Sequence, residues 1–559
     1  MMKPLAFAVL CLPVSVHAAS VGAEVPFTTL EAEKASTKAA VVTLQGLPGK
    51  VVTPEMEASG RGYVELKATG DAVVFPVKAR ANSIVIRHCI PDAPEGGGLE
   101  ATLSLFINGA FSESLTLSSR HNWLYGEEGQ NGQSNTPGQA PHVFWEESRH
   151  ILKQQIKPGD RIELRRQEKD AAAFYRIDLI DLELAPPPLP QPANSLSVVD
   201  FGANGTDGKD DTDAIIACIR EAKAQRKVVW IPAGTYHQSK RFELEGPVKV
   251  HGAGMWHTSI LGTVLGEDFA SNMGFRLAGD GAEVADLYLE CIAQTQRGKS
   301  NGKGFTGATP VNWTVRNVWI THTQTGFWMS VASKGKVQGC RVRFTYADGI
   351  NLNRGASHNL VEHCHVRGCG DDGIAILSET ERKDPPAERN ILRNNTVEAV
   401  WWGHNLDLAG GSKHLVENNL LADNAMMGVF TINMTSAYPN HPLSDSIVRG
   451  NTLLRGGGNY VGQRRGAAWI FAGNDTVKGV VFENNRILSP MYSGIQITGG
   501  AEQQILFRGN TIDSPGGSAV HITDQAKGTG IFEGNTISGL PEGKEAFNNT
   551  SKGYTVTNR

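Results

Sequence analysis

The 559 residues contain no Cys-x-x-Cys pair, no long run of like charge and, past residue 19, no apolar stretch long enough to cross a bilayer. Each absence removes a class of function. Zinc ribbons and fingers need closely paired cysteines. Nucleic acid and anionic membranes call for a basic face, whereas the formal net charge is -4 and the charges are dispersed. A spanning helix needs about 20 consecutive apolar residues. Glycine is abundant, at 63 residues, and so is asparagine. That composition suits turns and short strands better than helices. With 40% hydrophobic and 20% charged residues the chain is globular in type, and its length calls for two or more domains.

Met1 to Ala19 reads as a secretory signal. Lys3 supplies the basic start, Leu5 to Val16 the apolar core, and Val16-His17-Ala18 or His17-Ala18-Ala19 the cleavage site. Export to the extracellular space or the periplasm is therefore expected, with no membrane or nucleic-acid partner. Export permits disulfides without demanding them. Cys11 leaves with the signal, and Cys89, Cys218, Cys291, Cys340, Cys364 and Cys369 remain. Cys340 and Cys364 stand one repeat apart, placed either to bond or to stack, and buried thiols are the favoured reading.

The proline run from Ala185 to Pro192 reads as an extended, semi-rigid spacer. It divides the chain into a signal at 1–19, a first domain at 26–185, a linker at 186–194 and a second domain at 195–559. In the first, Gly62 to Leu66, Ser83 to Arg87 and Thr102 to Ile107 alternate apolar and polar residues. Asn108-Gly109 between two such runs signals a hairpin. The pattern is that of an antiparallel β-sandwich. In the second, a helix is expected from Thr212 to about Lys223, striped by Ile215, Ile216, Ile219 and Ala222, as a lid on a solenoid. A phrase of the type apolar-x-x-(Asn or small)-x-apolar then recurs, for example at Leu392-Arg393-Asn394-Asn395-Thr396-Val397 and Val416-Glu417-Asn418-Asn419-Leu420-Leu421. This repeat predicts a stacked parallel β-helix, with the recurrent Asn as an internal amide ladder. Leucine-rich repeats share the period, but their Leu-x-x-Leu-x-Leu phrase is missing.

Aligned on a recurrent Gly-apolar strand, the preceding position reads Thr325, Asp348, Asp372 and His404 in four successive coils. Asp371 sits beside Asp372. Neighbours on a flat strand face opposite sides, and burying one ionised and unpaired is costly. A bend permitted by Gly373 is expected to turn both outward. Glycoside hydrolysis needs one protonated carboxyl and one ionised carboxylate, and crowding of like charges raises one pKa. Asp348, Asp371 and Asp372 are thus the candidate catalytic set. Trp401 and Trp402 are candidate sugar platforms, with Arg354, His404 and Asn405 as candidate ligands for hydroxyls. Trp313, Trp319, Phe327, Trp328, Tyr346 and Trp469 are either platforms or stacked core.

These residues resemble a known family. The second domain resembles the right-handed β-helix of the pectate-lyase and polygalacturonase superfamily. The combination Ala347-Asp348-Gly349-Ile350-Asn351, Val361-Glu362 and Gly370-Asp371-Asp372-Gly373, with Trp401 to Gly411 and Ser493-Gly494-Ile495-Gln496, resembles glycoside hydrolase family 87. That resemblance implies an inverting, endo-acting α-1,3-glucanase or a mycodextranase cutting mixed α-1,3/α-1,4-glucan (nigeran). It implies Asp371 as acid, with Asp348 and Asp372 holding the water, a geometry that needs a gap of roughly 6.5–9.5 Å. The first domain resembles family 35 and family 6 carbohydrate-binding modules through Leu30-Glu31-Ala32-Glu33 and Ile177-Asp178-Leu179-Ile180-Asp181. It implies a structural calcium held by Glu31, Glu33 and Asp178 or Asp181, whereas solvent-facing acids on edge strands are the plainer reading. The polygalacturonase Arg-x-Lys for a uronate carboxylate is missing, which favours neutral glucan.

The expected partner is thus an α-glucan polysaccharide, the expected state a monomer, and catalysis needs no cofactor. Two other readings remain: a hydrolase or lyase of acidic polysaccharide, and a non-catalytic carbohydrate-binding β-helix. A lyase calls for a basic residue at ladder spacing, and none is obvious beside the trio.

Overall fold

The computed structural model describes residues 21–49, 52–126, 134–138, 141–264, 272–292, 302–381, 383–434, 439–460 and 462–559. The expected signal, with Cys11, lies outside the described residues. The described chain is nearly all β-structure, in two units.

The first is an antiparallel sandwich running from Phe27–Glu31 to Tyr175–Glu183. One sheet orders the strands Glu146–Ile156, Ala81–Cys89, Tyr175–Glu183, Gly62–Leu66 and Ala40–Thr43, and the other contains Ala72–Pro76, Arg161–Arg165, Glu100–Ile107 and Ala110–Ser118. Alternation supplies the core: Ile84, Ile86, Leu103, Leu105, Ile162 and Leu164 are fully buried between the sheets. Asn108 and Gly109 both have positive φ, 52° and 82°, the left-handed pair that a tight hairpin requires.

The second unit is a parallel β-helix. Its strands join one continuous sheet from Ser195–Ser197 to Gly553–Asn558. The helix Thr212–Gln225 packs Ile215, Cys218, Ile219 and Ala222 onto the first coils, with Ile216 only partly covered. Inside, stacked rings run Phe275, Phe305 and Phe327 at centroid spacings of 5.6 and 4.9 Å. The repeated Asn-Asn phrase has two separate causes. Its first residue turns the chain with positive φ, 52° at Asn394, 55° at Asn418 and 53° at Asn484, and Gly450 and Gly509 replace it elsewhere. Its second builds the ladder: Asn395, Asn419, Asn451, Asn485, Asn510 and Asn535 are linked in turn, each Nδ2 donating to the next Oδ1 at 2.9–3.1 Å. Cys340 and Cys364 are buried thiols, as are the other four described cysteines, and no disulfide forms among them.

The proline run does not separate two free bodies. Leu189 N–H donates to Ala253 O at 2.9 Å, and the sandwich is seated on the helix flank. There the coils read Arg341-Val342-Arg343 and His365-Val366-Arg367, with valine inside and arginine towards the sandwich. Arg341 pairs with Glu183 at 2.8 Å and Arg343 with Glu147 at 3.1 Å. Arg367, fully buried, meets Glu147 at 2.7 Å, Asp181 at 2.9 Å and Glu398 at 2.6 Å. Burial disfavours its charge, but those three carboxylates outweigh it and hold the guanidinium well above its ordinary pKa.

Candidate active site

Strand register stacks the candidate residues in the expected order. Ile350 pairs with Ile374 and Ile374 with Leu406, so the turns just ahead align Asp348, Asp372 and His404 on successive coils. Gly349 N–H donates to Asp372 O and Gly373 N–H to His404 O, at 2.8 and 2.7 Å. Glycine is required here by close approach, since a Cβ on Gly349 would stand 2.5 Å from Gly373 O. The backbone bends at Asp371, and all three carboxylates line one groove of about 350 Å³. Asp348 and Asp372 are buried, and Asp371 is half-buried.

Burial first, then the charges of Asp371 and Asp372, push the Asp348 carboxyl well above the usual range. Asp372 Oδ1 instead accepts from His404 N–H at 2.9 Å and sits 2.8 Å from His404 Nδ1. Burial disfavours the imidazolium, but Asp372, then Asp407 and Asp371, outweigh it and hold His404 up at about 9. Its Nε2 has no hydrogen-bond partner among the described residues and belongs to a ring lining the groove. Asp407, on Leu406–Ala409, accepts from Thr431 Oγ1 at 2.5 Å, and burial raises it to about 7 despite His404. Asp372, His404 and Asp407 offer ligand atoms within 4.8 Å of one another. Trp328, Trp402 and Tyr460 form the walls. The groove shares Met427, Asn433 and Tyr460 with a further stretch of about 460 Å³ carrying Arg465, Trp469 and Phe471.

Known proteins share this architecture. Residues 24–185 match the family model described as α-1,3-glucanase catalytic domain D1, and residues 208–514, more than half the chain, match α-1,3-glucanase catalytic domain D2. The chain belongs to the α-1,3-glucanase catalytic-domain family. It is a glycoside hydrolase. The solved Agl-KA catalytic domain is similar to it at 26% identity and TM-score 0.86, covering 98% of this chain and 100% of that one. The catalytic unit of a thermostable family 87 α-1,3-glucanase from Streptomyces thermodiastaticus strain HF3-3 is 25% identical, with TM-score 0.83, covering 96% and 97%. A family 87 α-1,3-glucanase catalytic domain with an aspartate replaced by alanine, solved with tetrasaccharides, is 25% identical, with TM-score 0.81, covering 96% and 99%. No curated protein matches the chain. The sandwich, whose sequence resembles carbohydrate-binding modules, thus matches a domain of the family's catalytic unit.

Not every candidate residue of this α-1,3-glucanase-family chain reaches the groove. Trp402 and His404 line it. Trp401 turns the other way, into a cluster with Leu124, Phe144 and Tyr346 under the sandwich. Asn405 is an internal amide: its Nδ2 donates to Val397 O and Ala422 O at 2.9 and 2.7 Å, and it never faces the groove. Arg354 is engaged by Asp384 and is not part of the groove wall. Trp313 and Phe327 are core, and Trp319 packs on Trp256 and Tyr288. Asp407 is a groove residue that the sequence reading misses, although the alternation Leu406-Asp407-Leu408 turns it outward. Lys303 pairs in register with Thr325, so the Asp row does continue into a basic residue. It stands two rungs from Asp348, about 9–10 Å along the stack, and the Asp348 charge reaches its ammonium.

Of the four candidate calcium ligands, Asp181 is spent otherwise: it accepts from Thr29 Oγ1 at 2.6 Å and pairs with Arg367. Asp178 sits at a register shift in its strand and is paired with Arg87. Even so, Asp178 Oδ1, Glu31 Oε2 and both Glu33 carboxylate oxygens are buried without a hydrogen bond. Burial, then Asp178 and Glu33, raise Glu31 to about 8.

The groove geometry gives two expected results. The His404 value lies above the ordinary 6.5, so the pair with Asp372 contributes its full stability below that pH and loses it as pH rises through about 9. Between about pH 7 and about pH 10 the wild type should therefore lose more thermal stability than His404→Gln, measured as melting temperature against pH. A Cβ on Gly403 would meet the Asp371 backbone at 2.5 Å. Gly403→Ala should lower kcat by about 10-fold or more by displacing the aspartate pair, with the far-ultraviolet spectrum unchanged.

Proposed function

We propose that the protein is a secreted, endo-acting α-1,3-glucanase that inverts the anomeric centre through Asp348, Asp371 and Asp372. The observation that carries this reading is the stacking of Asp348 on Asp372 in one groove with Asp371, where burial and the charges of its two neighbours push the Asp348 carboxyl well up. Asp371, the least buried member, passes a proton to the glycosidic oxygen as the C–O bond breaks. Asp372, held by the His404 donors, and Asp348 hold the water. The water oxygen bonds to the anomeric carbon from the opposite face and gives its proton to a carboxylate. His404 Nε2 then faces a sugar hydroxyl, and Trp328, Trp402 and Tyr460 pack on apolar sugar faces. A groove prolonged past Tyr460 suits several consecutive sugars, which supports internal cleavage.

The test is the anomer first released from α-1,3-glucan, read by proton NMR, alongside the product size distribution. β-Anomers that mutarotate to α, with oligosaccharides appearing early, support the proposal. α-Anomers as first products overturn inversion, and glucose alone overturns the endo mode.

Glu31, Glu33 and Asp178 fit a structural calcium, because a cation taking six to eight oxygens would use their buried carboxylate oxygens that lack a hydrogen bond. It would brace the sandwich and takes no part in the reaction. Chelation should lower the melting temperature by several degrees, and calcium but not magnesium should restore it; an unchanged melt counts against the site.

A further inference from the structure

A second group of buried side chains lies between the sandwich and the β-helix, away from the groove. His121 follows the strand Ala110–Ser118, Glu146 opens the strand Glu146–Ile156, and His322 follows the strand Thr314–Thr321. All three are buried, and one ligand atom from each lies within 4.8 Å of the others. The His121 and His322 rings stack at 3.8 Å and 12°. Both Nδ1 atoms are taken: His121 Nδ1 lies 2.6 Å from the Tyr346 hydroxyl and His322 Nδ1 2.9 Å from Glu290 Oε1. Both Nε2 atoms lack a hydrogen bond. Glu146 Oε1 stands 3.3 Å from His322 Nε2 without hydrogen-bond geometry.

We propose that His121, Glu146 and His322 bind a zinc ion that staples the sandwich to the β-helix. Two imidazoles whose Nδ1 atoms are fixed by a hydroxyl and a carboxylate, with Nε2 left over, are oriented as zinc ligands are. Ligands about 2.0–2.1 Å from a tetrahedral zinc lie about 3.3–3.4 Å apart, the spacing seen between Glu146 and His322. Charge also balances, since a divalent cation offsets Glu146 and Glu290. The staple has a direct route to the reaction. Tyr346 and Ala347 N–H donate to Thr323 and Gln324 carbonyls at 3.0 and 2.7 Å, so the coil carrying His322 supports the turn that ends in Asp348.

The test is metal analysis of the full chain, followed by stripping with a zinc-selective chelator and reloading. Expected are about one zinc per chain, reloading by zinc but not calcium, and a higher melting temperature for the reloaded protein. Cobalt(II) should give the strong visible bands of tetrahedral coordination, and His121→Gln and His322→Gln should each abolish them. Stripped wild type that takes up no zinc, or uptake that survives in both variants, overturns the proposal. Should a variant fail to fold, stripped and zinc-loaded wild type decide the matter: identical melting temperatures overturn it.

Discussion

Asp371→Asn should hydrolyse α-1,3-glucan at least about 10²-fold more slowly than the wild type, the scale of a lost general acid or base, while melting within a few degrees of it. The side chain borders open groove and belongs to neither core cluster, so the amide fits without repacking. What it removes is a carboxyl able to carry a proton and a charge felt by its neighbours. Asp371 is the foremost charge acting on Asp348. Its neutralisation therefore lets the Asp348 carboxyl titrate lower. Asp348→Asn should cost a similar factor. A variant with near-normal turnover, or one whose loss follows unfolding, would remove that residue from the catalytic set.

Arg367→Ala should destabilise the protein by about 3–5 kcal/mol, the cost of breaking a buried ion pair from one side. Glu147, Asp181 and Glu398 converge on this guanidinium, and only Glu398 belongs to the β-helix. Without Arg367, a group of acids at the sandwich interface is buried and under-compensated, and water reaches them only if the interface opens. Arg393→Ala removes a superficially similar pair, with Glu362 at 2.7 Å, but that arginine is only half-buried. It should cost no more than about 1 kcal/mol. Denaturant titration of both variants beside the wild type separates the cases. Equal, small losses would mean that the sandwich is not held on the coils by this network.

Much of this architecture is legible in the sequence because a solenoid repeats its physics. From Asn394 onwards successive coils repeat a left-handed corner and a ladder amide, so Asn-Asn and Gly-Asn recur and give away the period. The same alignment puts Asp348, Asp372 and His404 in one column before any coordinates exist. Faces are harder to read. Trp401 and Trp402 are consecutive, and only the packing of Phe144 against one of them decides which is left for the groove. Asn405 looks like a sugar ligand beside His404, yet it occupies the interior side of the turn. The sandwich interface is hidden altogether. Arg343, Arg367, Glu147 and Asp181 are scattered over more than 200 positions, and no local pattern pairs them. Asp181 illustrates the cost: its strand resembles a calcium-binding one, but a distant arginine takes the carboxylate.

The most direct measurement is reducing-sugar release by the wild type from α-1,3-glucan, nigeran and polygalacturonate, with Asp371→Asn run in parallel. The expected result is release from α-1,3-glucan, at least about 10²-fold slower in the variant, and none from polygalacturonate. Release from polygalacturonate alone, or equal release by wild type and variant, would contradict an α-1,3-glucanase working through this aspartate trio.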